Sequence, residues 1–304
     1  MDLYHYQAPR GNFGDDLNLW LWDALLPGWR EAMPGHLLVG VGTIINDKLP
    51  RGMPKLVMGS GAGYGAVPDA ALLAECTFAA VRGPHSARIL GLPPEKGIVD
   101  PAVMLPDLPE FQNIPRGGRP VFVPHIASID RADWAALCAR AGLDYVSPEG
   151  EAHQVIRRLA GAPLVVTESM HGAIIADAFG TPWQAVSISY LFHARKWQDW
   201  ADSLGLALQV QPMFPLMDRI SALLPKKKRA AGDHPTEAKA GSGPAGAARK
   251  LPFKLRARMA MERQMAVSRL RTLARSKGQL SDRAALEAAK ARYRAVLDQV
   301  RHGF

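Results

Sequence analysis

Ala162-Pro-Leu-Val-Val-Thr-Glu-Ser-Met-His-Gly-Ala-Ile-Ile-Ala-Asp-Ala-Phe-Gly-Thr-Pro182 passes from a short apolar run, β-branched at its end, straight into residues at helical spacing. That handover decides the fold. A stretch as apolar as Ala162 to Val166 suits a strand buried on both faces. From Met170 to Phe179, the residues Met170, Ile174, Ile175 and Ala178 share one helical face, and Gly180 with Pro182 stop the helix. His171 therefore falls in the first helical turn, among amides without intrahelical partners and at the positive end of the helix dipole. Phosphate and carboxylate groups bind in such a setting. Glu168, Ser169 and Gly172 share the junction, at the carboxyl end of the strand, where open α/β sheets hold their ligands. A helix-start histidine bonded to a neighbouring carbonyl is the plainer alternative.

Outward from this junction the chain alternates strands and helices twice over. In the first half, strands are predicted at Leu3 to Tyr6, His36 to Val41, Lys55 to Gly59, Phe78 to Arg82 and Gly97 to Val99, with helices at Asp16 to Leu26 and Pro84 to Leu90. Pro106 to Gly118, rich in proline and glycine, connects the halves. The second half continues with strands Val121 to Val123, Tyr145 to Ser147 and Ala185 to Ser189, and helices Arg131 to Ala141, Gly150 to Ala160 and Phe192 to Leu204. Such alternation predicts parallel sheets covered by helices on both faces, with a cleft between the two carboxyl edges.

Several first-half loops reach that cleft. Gly11-Asn12-Phe13-Gly14-Asp15-Asp16 combines a tight turn with a helix cap, and a phosphate or sugar could approach Asn12 and Asp15; cap and turn alone also explain the string. Gly42 and Gly61 follow strands, where a missing side chain admits a ligand or merely a turn. Arg82, at the end of a strand, suits bidentate capture of carboxylate or phosphate, against the alternative of an ion pair with a nearby aspartate. Ser86 and His85 could add donors to the same anion. Asp100 and His125 also end strands, where either could orient an acceptor. Gly61 to Ala66 fits a dinucleotide fingerprint weakly, because Pro68 and Asp69 interrupt the helix it requires. The tryptophans of Lys196-Trp-Gln-Asp-Trp200 suit packing better than a sugar platform.

Glu168-Ser-Met-His-Gly-Ala-Ile-Ile-Ala-Asp177 and Gly180-Thr-Pro182, together with Gly11-Asn-Phe-Gly-Asp-Asp16, Gly40-Val-Gly-Thr43, Gly59-Ser-Gly61, Val81-Arg-Gly-Pro-His-Ser86 and Asp100-Pro101, resemble the polysaccharide pyruvyl transferase family over roughly residues 1 to 210. The resemblance implies a GT-B-like α/β protein of two Rossmann-like domains with a central cleft. It implies transfer of pyruvate from phosphoenolpyruvate onto sugar hydroxyls of exopolysaccharide or cell-surface glycans, with His171 and Glu168 as catalytic groups and Arg82 on the donor. Many members carry Arg-Leu-His where this chain has Ser169-Met170-His171, a form closer to the succinoglycan-type ketal transferases. Lys196 or Arg195 would then replace the absent arginine. A GT-B glycosyltransferase using a nucleotide sugar, and a non-catalytic glycan- or membrane-binding protein, stand as alternatives.

Length and composition fit this organisation: 304 residues, 48% hydrophobic, divide into domains over 1–110 and 118–224, a basic linker over 225–250 and a basic helical segment over 251–304. Two cysteines and nine scattered histidines show no ligand spacing, so neither metal nor disulfide is expected, and no cofactor beyond the donor substrate. Asp15-Asp16 could hold a divalent cation but reads better as an acidic helix start. The N-terminus lacks a secretory pattern and no apolar run reaches about 18 residues, so the cytoplasm is expected. Charge is concentrated at one end: residues 225–304 hold 20 Lys and Arg against 6 Asp and Glu, whereas the rest holds 17 against 22. A basic amphipathic helix beyond Pro252 fits an anionic membrane surface at the inner face, where a lipid-linked glycan would be met; packing on the body is the equal alternative. A second tail helix, Asp282 to Val300, is expected to pair with it. Nucleic acid is disfavoured by the lack of interleaved aromatics.

Overall fold

A computed structural model describes residues 1–188, 192–213 and 253–303, with only the backbone described over 253–259. Ser189, the predicted end of one strand, and the 225–250 linker lie outside the described residues.

Among the described residues the chain folds into two wholly parallel sheets. The first contains β1 (Asp2–Tyr4), β2 (Leu37–Val39), β3 (Lys55–Met58) and β4 (Cys76–Ala80) in sequential order. The predicted fifth strand at Gly97 to Val99 is reduced to a single bridge between Val81 and Gly97. The second sheet contains β5 (Val121–Val123), β6 (Asp144–Tyr145), β7 (Val165–Thr167), β8 (Trp183–Ser187) and β9 (Val210–Pro212), ordered β6-β5-β7-β8-β9. Strand order reverses between β5 and β7, and a reversal of this kind opens a ligand crevice at the carboxyl ends of the two strands. His125 follows the first of them and Glu168 to His171 follow the second.

Helices cover both sheets. Between β1 and β2 the helix predicted over Asp16 to Leu26 is broken into a 3₁₀ turn at Asp16–Leu19 and α1 (Leu21–Leu25), and a further short helix, α2 (Trp29–Ala32), follows it. The reason is local: Asn18, fully buried, spends its amide on both backbone groups of Val41 and on the Trp22 indole, fixing the turn against the end of β2. Two further helices are α3 (Ala70–Ala74) and α4 (Pro84–Ile89). Sequence pattern did not indicate α3, although Asp69 caps it by accepting from the Leu72 amide. In the second half come α5 (Trp134–Ala141), α6 (Ala152–Gly161), α7 (Met170–Ala178) and α8 (Ala194–Ser203), and then the tail helices α9 (Phe253–Leu273) and α10 (Arg283–His302).

The main apolar cluster runs through both halves, from Phe13, Leu17, Trp22 and Trp29 to Val121, Ile156, Ile174 and Trp200, with a smaller cluster behind each sheet. A core shared in this way fixes one half against the other, because burial across the junction is lost if they part. Trp197 and Trp200 belong to it, their rings tilted against Trp183 of β8 at 6.2 and 5.4 Å between centroids, rather than lining a sugar path.

The tail helices do not pair as expected. Val267, Leu270 and Leu273 of α9 pack with Trp134, Leu137 and Cys138 of α5 behind the second sheet. Leu286, Ala289, Tyr293 and Leu297 of α10 instead enter the shared core. Asp177 anchors α10's start, accepting from the backbone and hydroxyl of Ser281, while the Arg283 guanidinium bonds the Asp177 carbonyl at 2.7 Å. From there α10 crosses to the first half, where Lys290 and Arg294 grip Asp107 at 2.5 and 2.7 Å, and Arg301 donates to the Leu25 carbonyl. Part of the tail's positive charge is thus spent on the body. Among the described residues no helix is long and apolar enough to cross a membrane.

Candidate active site

His171 sits where α7 begins, 7% exposed, and projects from the second half into a slot made by the first. Its Nε2 lies 3.7 Å from Asp100 Oδ2, and neither buried atom has a hydrogen-bond partner among the described residues. Asp100 is fully buried, and its other oxygen caps the 3₁₀ turn Pro101–Asp107 through the Ala102 amide. Against the opposite side of the ring lies Gly14, where a β-carbon would fall inside the imidazole. Two polar atoms left unpaired at such depth are costly unless they serve a ligand or a proton. Gly14→Ala should therefore displace the ring from Asp100; the expected result is a loss of activity of at least an order of magnitude, seen as turnover alongside an unchanged far-ultraviolet dichroism spectrum.

The Gly11 to Asp16 loop carries its two aspartates to different tasks. Asp16 closes the loop by accepting from the Asn12 amide at 2.9 Å. Asp15, at the cap position before the 3₁₀ turn, makes no side-chain cap bond; its carboxylate accepts from the Asn12 side chain and lies beside Gly42, whose φ of +124° is open to glycine. Burial pushes the Asp15 carboxyl above the usual aspartate range, against the pull of His171, Lys196 and Asn12. Asp15, His171 and Lys196 are thus within electrostatic reach of one another.

Glu168 is 2% exposed and accepts backbone N–H bonds from His125 at 3.2 Å and Ile188 at 3.0 Å. It braces the ends of β5, β7 and β8; the carboxylate that meets His171 is Asp100. Burial raises the Glu168 carboxyl, and those bonds oppose the rise. His125 uses Nδ1 to accept from Ala127 N–H, and burial, with the charges of Lys196, His193 and His171, pushes its imidazole down to about 3, so it stays neutral. Ser169 caps α7 by accepting from Gly172 N–H at 3.4 Å. Gly172 itself lets α7 start against Thr167, since a β-carbon would meet Thr167 Oγ1 at 2.6 Å.

Arg82 and Ser86 meet an anion that the chain supplies itself. Both Arg82 and Asp199, the latter on α8, are fully buried and pair at 3.1 Å. Asp199 also accepts from the His85 and Ser86 amides at 2.9 Å and from Ser86 Oγ at 2.6 Å, capping α4 from across the molecule. The ion pair that the sequence left as the alternative for Arg82 is therefore present. Gly61 leaves room for the guanidinium, against which its β-carbon would collide, and a second guanidinium nitrogen donates to Thr43 Oγ1 at 2.5 Å.

Thr43 opens onto a cavity of about 380 Å³ between the halves, lined by Tyr64, His85 and Ile89 on one side and Phe192, His193, Arg195 and Lys196 on the other. Lys196 Nζ stands 3.5 Å from Tyr64 Oη and 5.5 Å from the ring centre, and His193 meets the same ring edge-on. No carboxylate lines this cavity among the described residues. Charge in the crevice is thus divided: an acidic side with Asp100 and Asp15 around His171, and a basic side with Lys196 and Arg195, flanked by the imidazoles of His85 and His193. Asp100, expected to orient an acceptor, instead meets His171, whereas Asp199 and Tyr64 carried no signal in the sequence because their partners lie far away along the chain. No group of three or more histidine, cysteine or carboxylate side chains suited to a metal occurs among the described residues.

A parallel-sheet α/β protein with a buried His–Asp pair at the switch point and a basic hollow beside it has the form of a group-transfer enzyme. A family profile for polysaccharide pyruvyl transferase matches residues 23–190, and the chain is 43% identical, over the full length of both proteins, to the succinoglycan biosynthesis protein ExoV of Rhizobium meliloti (strain 1021). The chain belongs to the polysaccharide pyruvyl transferase family.

Proposed function

We propose that this protein transfers pyruvate from phosphoenolpyruvate onto two hydroxyls of a sugar, as a ketal, in the synthesis of a succinoglycan-like exopolysaccharide. The division of charge in the crevice carries this reading. A small phosphate ester that also bears a carboxylate belongs on the basic side, held by Lys196 and Arg195, with Arg82 polarising Thr43 from beneath. A hollow near the lower end of the ~300–1,000 Å³ range of ligand pockets suits a ligand of that size. An uncharged polyol belongs on the acidic side, where Asn12, Asp15 and His171 offer donors and acceptors to its hydroxyls. The described parts of 1–110 and 118–213 then act as the two lobes of a GT-B-like body, with the reaction at their junction.

The chemistry needs a proton on the donor's methylene carbon and a proton removed from the attacking hydroxyl. His171, oriented by Asp100, takes the hydroxyl proton, as a histidine backed by a carboxylate does in acyl transfer. Asp15, whose raised carboxyl retains its proton more readily than an exposed aspartate, supplies the methylene proton. The hydroxyl oxygen bonds to C2, a second hydroxyl of the same sugar then displaces phosphate, its proton leaving with the phosphate, and the products are a cyclic ketal and inorganic phosphate. Glu168 holds the three strand ends that set the distance between these groups.

Calorimetric titration tests the donor assignment. Phosphoenolpyruvate should bind saturably, and Lys196→Ala should weaken it on the order of tenfold, the worth of one charge-assisted contact; UDP-glucose should give no heat. Binding of the nucleotide sugar alone would replace this reading with glycosyl transfer.

A further inference from the structure

The helix α10 begins at Arg283, well beyond the matched family segment, which ends at residue 190, yet one of its side chains stands directly behind the acidic side of the crevice. Tyr293 is fully buried, and its hydroxyl donates to the Met58 carbonyl at 2.8 Å. Met58 is the last residue of β3. The next residue, Gly59, has φ +107° and presses its backbone against the Pro101 ring so closely that a β-carbon would lie 2.6 Å from Pro101 Cγ. Pro101 follows Asp100. A continuous set of contacts therefore runs from Tyr293 through the end of β3 to the Asp100–Pro101 turn and on to His171 Nε2. Burial, and after it the charge of Asp100, hold the Tyr293 phenol well above its usual range, so the hydroxyl remains a donor.

From this arrangement we infer that Tyr293 is a positioning residue for the reaction: by tying the end of β3 to α10 it fixes Asp100 against His171, so that the C-terminal helix completes the active site from outside the matched segment. The inference rests on the proposed roles of His171 and Asp100. It also explains why α10 is clamped at three places along its length, at Asp177, Asp107 and Leu25, with Tyr293 inside that span. A helix that merely covered apolar surface would need no hydrogen bond into a strand end that abuts a catalytic turn.

The test compares Tyr293→Phe, which keeps the ring and removes the hydroxyl, with Leu297→Ala, which weakens α10 packing elsewhere. In Tyr293→Phe, kcat should fall on the order of tenfold, the equivalent of one lost hydrogen bond felt in the transition state, with the phosphoenolpyruvate KM unchanged. The ¹⁵N resonances of the His171 imidazole should shift in that variant without any substrate present. Leu297→Ala should lower the melting temperature yet leave kcat, measured well below it, and the His171 resonances in place. Full kcat with unmoved His171 resonances in Tyr293→Phe would overturn the inference, as would losses that merely track the unfolded fraction in both variants. Were the wild-type protein to leave phosphoenolpyruvate untouched, the functional proposal would fail, and the resonances alone would still decide whether Tyr293 sets the His171 environment.

Discussion

Replacing His171 by alanine should lower turnover about 10²- to 10⁴-fold, the range found for removal of a positioned acid or base, while leaving donor binding largely intact. The two effects separate because the groups are separate: the cations proposed to hold the donor line the cavity at Lys196 and Arg195, whereas His171 stands between Asp100 and Gly14. Stability should change little, since His171 Nε2 makes no hydrogen bond that the variant would lose. Parallel measurements of phosphate release, phosphoenolpyruvate affinity and melting temperature check all three expectations. A variant that lost affinity and turnover equally would move the donor onto the α7 start and away from the basic hollow.

The largest effect on stability is expected at Asp199. Asp199→Ala would leave the Arg82 guanidinium buried without its carboxylate and strip the α4 start of the acceptor for the His85 and Ser86 amides. Removing one partner of a buried pair costs about 3–5 kcal/mol. At about 2–4 °C per kcal/mol for domains of 150–250 residues, the melting temperature should fall on the order of 10 °C. The double variant Arg82→Met/Asp199→Leu should recover much of that loss, because it removes the stranded charge together with its partner. Denaturant unfolding of the two variants beside wild type gives the answer, and equal stability of single and double variants would show that the guanidinium is not what destabilises Asp199→Ala.

Local patterns carried most of the fold. The Ala162 to Pro182 stretch contains its strand, its helix start and its stop in consecutive residues, so strand-to-helix handover and the position of His171 were readable without tertiary information. The tail helix α10 was likewise legible, because Asp282 caps it and its apolar residues recur at helical spacing. What failed to show were features made by distant partners. The break in the helix after Asp16 depends on Asn18 reaching Val41. The reduction of the strand at Gly97 follows from its meeting the sheet by one bridge only. Arg82 looked like a ligand arginine because nothing near it in sequence announces Asp199, 117 residues away. Glu168 and His171, three residues apart, looked like a working pair, yet the helix turn separates their tasks: the glutamate faces backbone amides at the strand ends, and the histidine faces Asp100. The basic tail left a membrane-surface helix and packing on the body as equal readings, because composition does not say what its apolar residues meet; those of α9 and α10 pack on two different layers of the body.

The most direct test of the account is to incubate the purified protein with phosphoenolpyruvate and pyruvate-stripped succinoglycan oligosaccharides, following phosphate release and the mass of the sugar together. Phosphate release should depend on the sugar, with a product heavier by one pyruvic acid less one water, and both should be absent with His171→Ala. Acceptor-independent hydrolysis of phosphoenolpyruvate, or an unmodified sugar with no phosphate released, would contradict it.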